Sequence, residues 1–130
     1  MSEGIFFNQN SGFVGPGSLG ALLLENETGS YNGPWIPVHE FARFSCVFSG
    51  TNAASGTVTL YGANTDGEPG ALTDPGVFVL DTQTFGTSTQ TLTFNWQFPI
   101  RFVAASCDLT AGDVWAFLQA TTPICFFIKR

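Results

Sequence analysis

Between Thr89 and Ala105 the chain reads TQTLTFNWQFPIRFVAA, with a large apolar residue at every second position of its first half. Leu92, Phe94, Trp96 and Phe98 alternate with Thr93, Asn95 and Gln97. A period of two puts all four apolar side chains on one face of a strand, whereas a helix would scatter them. Pro99 has no N–H to give to a ladder, so a break or bulge is expected there, with a second strand from Ile100 to Ser106. This is the densest aromatic segment of the chain, and it is expected at the centre of an all-β core.

The same alternation recurs elsewhere. From Trp35 to Ser49, Ala42, Phe44, Cys46 and Phe48 share one face, and Arg43, Ser45, Val47 and Ser49 the other. In the strand expected over Gly56–Gly62, Val58 and Leu60 point inward. Further strands are expected at Val77–Asp81, extended through Thr84, at Val114–Ala120 and at Ile124–Lys129. Residues 19–27 (LGALLLENE) could open a helix by propensity, but the segment is short and follows Gly-Pro-Gly, so a strand is expected. Thr51–Gly56, Gly86–Ser88 and Leu109–Asp113 have turn composition, and residues 63–76 form a long loop. About eight short strands with polar turns between them indicate an antiparallel β-sandwich, jelly-roll-like in topology. The core is expected to hold Phe44, Cys46, Phe48, Val58, Leu60, Phe94 and Trp96.

A chain of 130 residues suits one domain, expected over residues 19–130. Residues 1–18 are rich in Gly, Asn and Ser around Ile5, Phe6, Phe7 and Phe13, and read as an extended N-terminal arm or an edge segment. Only 11% of residues are charged, against roughly 25% in an ordinary soluble domain. The 14 Phe are more than a core of this size can hide, so part of the aromatic surface is expected to be covered by another chain. Ile5, Phe6, Phe7, Phe13, Trp35 and Trp115 are the candidate interface residues.

Chemistry is sparse. The net charge of −6 excludes the basic footprint that nucleic acid or an anionic membrane would need. No apolar run approaches the ~18 residues of a membrane-spanning helix. The N-terminus has neither the basic flank nor the apolar core of a signal peptide, so assembly in a cytosol is expected. Cys46, Cys107 and Cys125 fit no zinc spacing and are expected to be reduced and inert. The single histidine, His39, stands beside Glu40, and neighbours on a strand point to opposite sides, so Glu40 cannot orient it as a base. Asp66, Glu68 and Asp74 share one loop without the spacing of a calcium site. No catalytic residue, metal or cofactor is expected. Trp35, Tyr61 and Trp115 could instead stack on sugar rings, which keeps weak glycan binding open as a carbohydrate-binding module.

The chain resembles small β-sandwich virion proteins of tailed bacteriophages. The residues that carry the likeness are Trp35-Ile36-Pro37-Val38, the strand Gly56–Asn64 (GTVTLYGAN) followed by Asp66-Gly67, and Pro99-Ile100-Arg101-Phe102-Val103. They span about residues 35–105 and describe a strand pattern. The resemblance implies a non-enzymatic structural protein of the virion. The expected role is capsid decoration or cement, with a tail, baseplate or fibre role as the alternative. Its expected partners are further copies of itself, a trimer being the expected assembly, and the major capsid protein or another virion protein.

Overall fold

The computed structural model describes residues 6–8, 12–15, 18–39, 41–86 and 90–121. Among them it contains nine strands and no helix: β1 (Phe6–Asn8), β2 (Gly12–Gly15), β3 (Ser18–Glu27), β4 (Ser30–Asn32), β5 (Ile36–Pro37), β6 (Arg43–Ala63), β7 (Val77–Phe85), β8 (Gln90–Trp96) and β9 (Phe102–Thr121). Every pairing is antiparallel.

Two long strands carry the architecture. β6 and β9 pair along their whole lengths, from Arg43↔Thr121 to Ala63↔Phe102. Each is divided by a corner near its middle. There the register runs Thr51↔Asp113, Ser55↔Ala111, Gly56↔Leu109, so β6 carries one residue more than β9. Extra residues of this kind bend a strand and sharpen its twist. Asn52 and Ala53 take left-handed φ values of 56° and 58°, and Gly112 lies across from them at 75°. The Asp113 carboxylate is buried and pins the corner, its Oδ1 accepting from Thr51 Oγ1 at 2.6 Å and from Asn52 Nδ2 at 3.1 Å.

The corner divides one hydrogen-bonded sheet into the two layers of a sandwich. The first layer contains β1, β2, β3, the C-terminal half of β9, the N-terminal half of β6, and β8. The second contains β4 and β5 beside the N-terminal half of β9, then the C-terminal half of β6, then β7. Alternation buries Phe44, Cys46, Phe48, Val58 and Leu60 of β6. On β9 the residues in the core cluster are Val103, Ala105, Cys107 and Leu109 before the corner and Val114, Ala116, Leu118 and Ala120 after it. The phase changes from odd to even because the corner displaces the strand by one residue. All of these side chains join one cluster with Leu23 of β3 and Phe85 of β7. Phe85 crosses from the second layer onto Gly50, where a Cβ would stand 2.8 Å from its ring.

The all-β antiparallel sandwich follows the sequence expectation. Several details do not. Thr51–Gly56 and Leu109–Asp113 are corners inside continuous strands, because each half of β6 remains paired to β9 on either side. The centre of the sheet is taken by β6 and β9, and the aromatic segment at 90–96 pairs, among the described residues, with β6 alone. Phe98 lies beyond the end of β8 and is 46% exposed. Phe94 packs against the core but is only half-buried, as an edge position allows. The stretch from Trp35 to Ser49 is broken between β5 and β6, where Phe41 N–H donates to the Val38 carbonyl at 3.0 Å. The second strand of the Thr89–Ala105 segment starts at Phe102 rather than Ile100, and Ile100 is buried ahead of it. The strand expected at Ile124–Lys129 and Cys125 lie outside the described residues.

Candidate interaction face

The outer face of the first layer exposes Phe117 beside the half-buried Leu22, Val47 and Trp115. It is built by alternation: Val114, Ala116 and Leu118 turn inward, so Trp115, Phe117 and Gln119 turn outward. Register then chooses their neighbours. Phe117 lies opposite Leu22 of β3 on one side and Val47 of β6 on the other. Gln119 lies between Gly20 and Ser45. Trp115 lies beside Ser49. Beyond β6, Thr93 and Asn95 of β8 continue the face.

Phe117 is 47% exposed, which is a large loss for an aromatic ring at the middle of a sheet. The Trp115 and Phe117 rings are parallel to within 5°, with centroids 6.3 Å apart. The small side of Gly20 and the short Ser45 leave a hollow of 280 Å³ beside Phe117, walled also by Leu22, Val47 and Gln119. The residues that wall this hollow carry no charge, and the exposed Arg43 stands at the end of the same row, opposite Thr121. An uncharged apolar centre with a polar rim has the features of an interface core.

The other candidates are scattered. Ile5 lies outside the described residues, while Phe6, Phe7 and Phe13 fall on the β1–β2 hairpin at the edge of the first layer, Phe7 opposite Phe13. Trp35 is half-buried between β4 and β5 at the second layer, where it walls a separate 280 Å³ pocket with Asn32, Glu68 and Leu72. Tyr61 is on the outer face of the second layer, opposite Val79 and Ala104. The sugar-stacking trio of Trp35, Tyr61 and Trp115 is therefore not brought together. Phe117, missed at the sequence level, is the partner that Trp115 has. The alternation in VWAFLQA that turns Trp115 outward turns Phe117 outward with it.

His39 is exposed and borders a polar pocket with Asn64, Pro99, Ile100 and Arg101, while Glu40 lies outside the described residues. Asp74 spends its Oδ2 on the backbone of its own loop, accepting from Gly70 N–H at 2.8 Å and Ala71 N–H at 3.1 Å. Among the described residues no three His, Cys, Asp or Glu side chains come together as metal ligands. Burial, helped by the Asp81 carboxylate, pushes the Cys46 thiol up to about 12. Burial also raises Cys107, whose Sγ donates to the Gly29 carbonyl at 3.5 Å. Both thiols are thus held in their unreactive, protonated form.

No protein-family model and no curated protein matches the sequence. Solved structures do match in shape. The SPBc2 prophage-derived protein YomS superimposes with a TM-score of 0.56 at 19% identity, over 87% of this chain and 100% of that one. The chain shares the fold of that protein. Weaker likenesses are the K3 adhesin domain of Lys-gingipain from Porphyromonas gingivalis and a family 29 carbohydrate-binding module crystallised with mannohexaose. The first has a TM-score of 0.45 at 12% identity, over 88% of this chain and 75% of that one. The second has a TM-score of 0.44 at 16% identity, over 97% and 95%.

Proposed function

We propose that this chain is a non-enzymatic structural protein of a bacteriophage particle that works by docking a sheet face with an apolar centre onto another virion protein, most simply as a capsid decoration protein. The observation that carries this reading is the outer face of the first layer, with Phe117 exposed between Leu22 and Val47. Water contact with such a surface is unfavourable by roughly 25 cal/mol per Å² of apolar area, and a protein partner removes it. The sequence resemblance to phage virion β-sandwiches and the fold shared with a prophage-derived protein support the setting. Burial raises both described thiols above their ordinary value, so neither is a nucleophile at neutral pH. The place of action would be the virion, after assembly in the host cytoplasm.

The test is co-sedimentation of the purified chain with phage heads and, separately, tails. Phe117→Ser and Trp115→Ala should each weaken particle binding at least tenfold while leaving the thermal midpoint close to that of the parent. Unchanged particle binding in both variants would remove this face from the proposal, and absence of binding to either particle part would remove the virion role.

A second reading has its own observation. Parallel aromatic rings beside a hollow rimmed by Ser45 and Gln119 also suit a neutral glycan, whose C–H faces stack on rings while its hydroxyls bond the rim. Retention on neutral polysaccharide, lost in Trp115→Ala, together with no particle binding would select it.

A further inference from the structure

At the second layer, the loop of residues 64–76 between β6 and β7 and the connection between β4 and β5 enclose a cleft of 280 Å³. Asn32, Pro34, Trp35, Glu68 and Leu72 border it, with Trp35 half-buried. Both walls are fixed by their own backbone. Gly33 N–H donates to the Ala105 carbonyl at 2.8 Å. A Cβ on Gly33 would stand 2.5 Å from the Leu23 carbonyl oxygen, so only glycine lets the β4–β5 connection lie this close to the sheet. Across the cleft the loop closes on itself. Asn64 N–H donates to the Gly76 carbonyl at 3.1 Å, Thr65 Oγ1 to the Gly67 carbonyl at 2.6 Å, and Asp74 N–H to the Ala71 carbonyl at 3.2 Å. A cleft whose walls are already ordered loses little entropy when a ligand enters.

Hydrogen-bonding capacity selects what can enter. Pro34 and Pro69 have no N–H. The N–H groups of Gly70 and Ala71 are engaged by Asp74 Oδ2, and that of Gly33 by Ala105. Most backbone donors along the cleft are thus absent or taken. The Glu68 carboxylate, by contrast, is exposed and has no hydrogen bond or ion pair among the described residues. An ionised carboxylate only accepts, so the group that suits it is one that only donates. An anion is repelled, and a sugar, whose hydroxyls must also accept, finds few donors. Size agrees with this. At 280 Å³ the cleft lies just below the range of about 300–1,000 Å³ for ligand pockets, and has room for one small group rather than a chain of rings.

We propose that this cleft binds an organic cation, a guanidinium or primary ammonium group, between the Glu68 carboxylate and the Trp35 ring. Cations are attracted to the face of an aromatic ring, most strongly to that of tryptophan. The methylene stem that carries such a group finds an apolar wall in Leu72 and Pro34. The field of the whole chain acts in the same direction. Its net charge is −6, and Asp66 stands in the same loop as Glu68, so cations are drawn towards this end of the second layer.

The site does not rest on the function proposed above. Trp35 and Glu68 belong to the second layer, whereas Phe117 and its neighbours form the outer face of the first. Changes at Glu68 should therefore leave particle binding through Phe117 intact, and loss of the virion role would leave the cation site standing.

Titration of the full chain with N-acetyl-arginine methylamide tests the site, followed by the Trp35 indole N–H resonance, which is identified by its loss in Trp35→Phe. Saturable binding in the millimolar range is expected. Glu68→Gln should weaken it about threefold to fivefold, the range of an exposed ion pair, with an unchanged thermal midpoint. Glu25→Gln removes the same charge from an exposed position on β3 and should leave the affinity unchanged. The citrulline analogue, neutral and of similar shape, should not bind. Methylguanidinium separates two sources of the cation. Weaker binding than the arginine amide assigns the side chain of a protein partner, and equal binding a free small cation. No shift of the Trp35 resonance at ~100 mM ligand, equal binding of the citrulline analogue, an unchanged affinity in Glu68→Gln, or equal weakening by Glu25→Gln would overturn the proposal. So would tighter binding after Lys129→Gln and Arg130→Gln, because the occupant would then be the chain's own basic end.

Discussion

Gly112 of β9 and Ala54 of β6 sit so close that a Cβ on Gly112 would come within 2.4 Å of the Ala54 Cα and 2.7 Å of the Thr51 carbonyl oxygen. That contact is the corner at which the sheet folds over itself. Gly112 also has a φ of 75°, which a side chain opposes independently. Gly112→Ala should therefore destabilise the fold by more than the ~1 kcal/mol typical of a point substitution, because backbone rather than a flexible side chain would have to move. Urea denaturation of the two proteins measures it. A loss of about 0.5 kcal/mol or less, the range of an ordinary surface change, would show that the corner relaxes freely.

Across the same corner the opposite substitution should help. Ala53 is exposed and holds a φ of 58°. An alanine in the left-handed region costs roughly 1–2 kcal/mol, part of which glycine returns as unfolded-state entropy. Ala53→Gly should leave stability unchanged or raise it by up to about 1 kcal/mol. A clear loss in the same urea titration would contradict the left-handed backbone at this position.

Phe48 and Phe94 separate the centre of the sheet from its edge. Phe48 is fully buried on β6, between β8 and β9. Phe48→Ala should cost about 3–5 kcal/mol, as truncation of a buried ring does. Phe94 is half-buried on β8, so Phe94→Ala should cost clearly less than Phe48→Ala. Equal losses would mean that Phe94 is as fully buried as Phe48.

The Cys46 thiol sets a pH dependence. Its value rises from 9.0 in the unfolded chain to about 12 in the folded one. The folded state therefore keeps a proton that the unfolded state releases, so the contribution is fully present below pH 9 and is lost as pH rises towards 12. Within that window the slope from this group approaches about 1.4 kcal/mol per pH unit. Denaturation midpoints measured from pH 8 to pH 11 should fall, and Cys46→Ala should fall less steeply from a lower starting stability. Parallel curves would show that the thiol ionises in the folded protein as easily as in the unfolded one.

What the sequence determined by itself was the phase of each strand. Phe44, Cys46, Phe48, Val58 and Leu60 are buried where alternation put them, because a strand's side-chain period is a local property of the backbone. The same rule made the outward direction of Trp115 legible, and would have made that of Phe117 so. Local composition also marked residues 51–56 and 109–113 as irregular. It could not say whether the strands end there, since that depends on whether β6 finds β9 again on the far side of Thr51↔Asp113. Tertiary structure decided that these are corners, that β6 and β9 rather than the aromatic β8 form the centre, and that Leu22, Val47 and Phe117 form one face. Each of those outcomes is a matter of register between segments distant in sequence. Register is chosen by burial of the whole sheet, which no single stretch of residues contains.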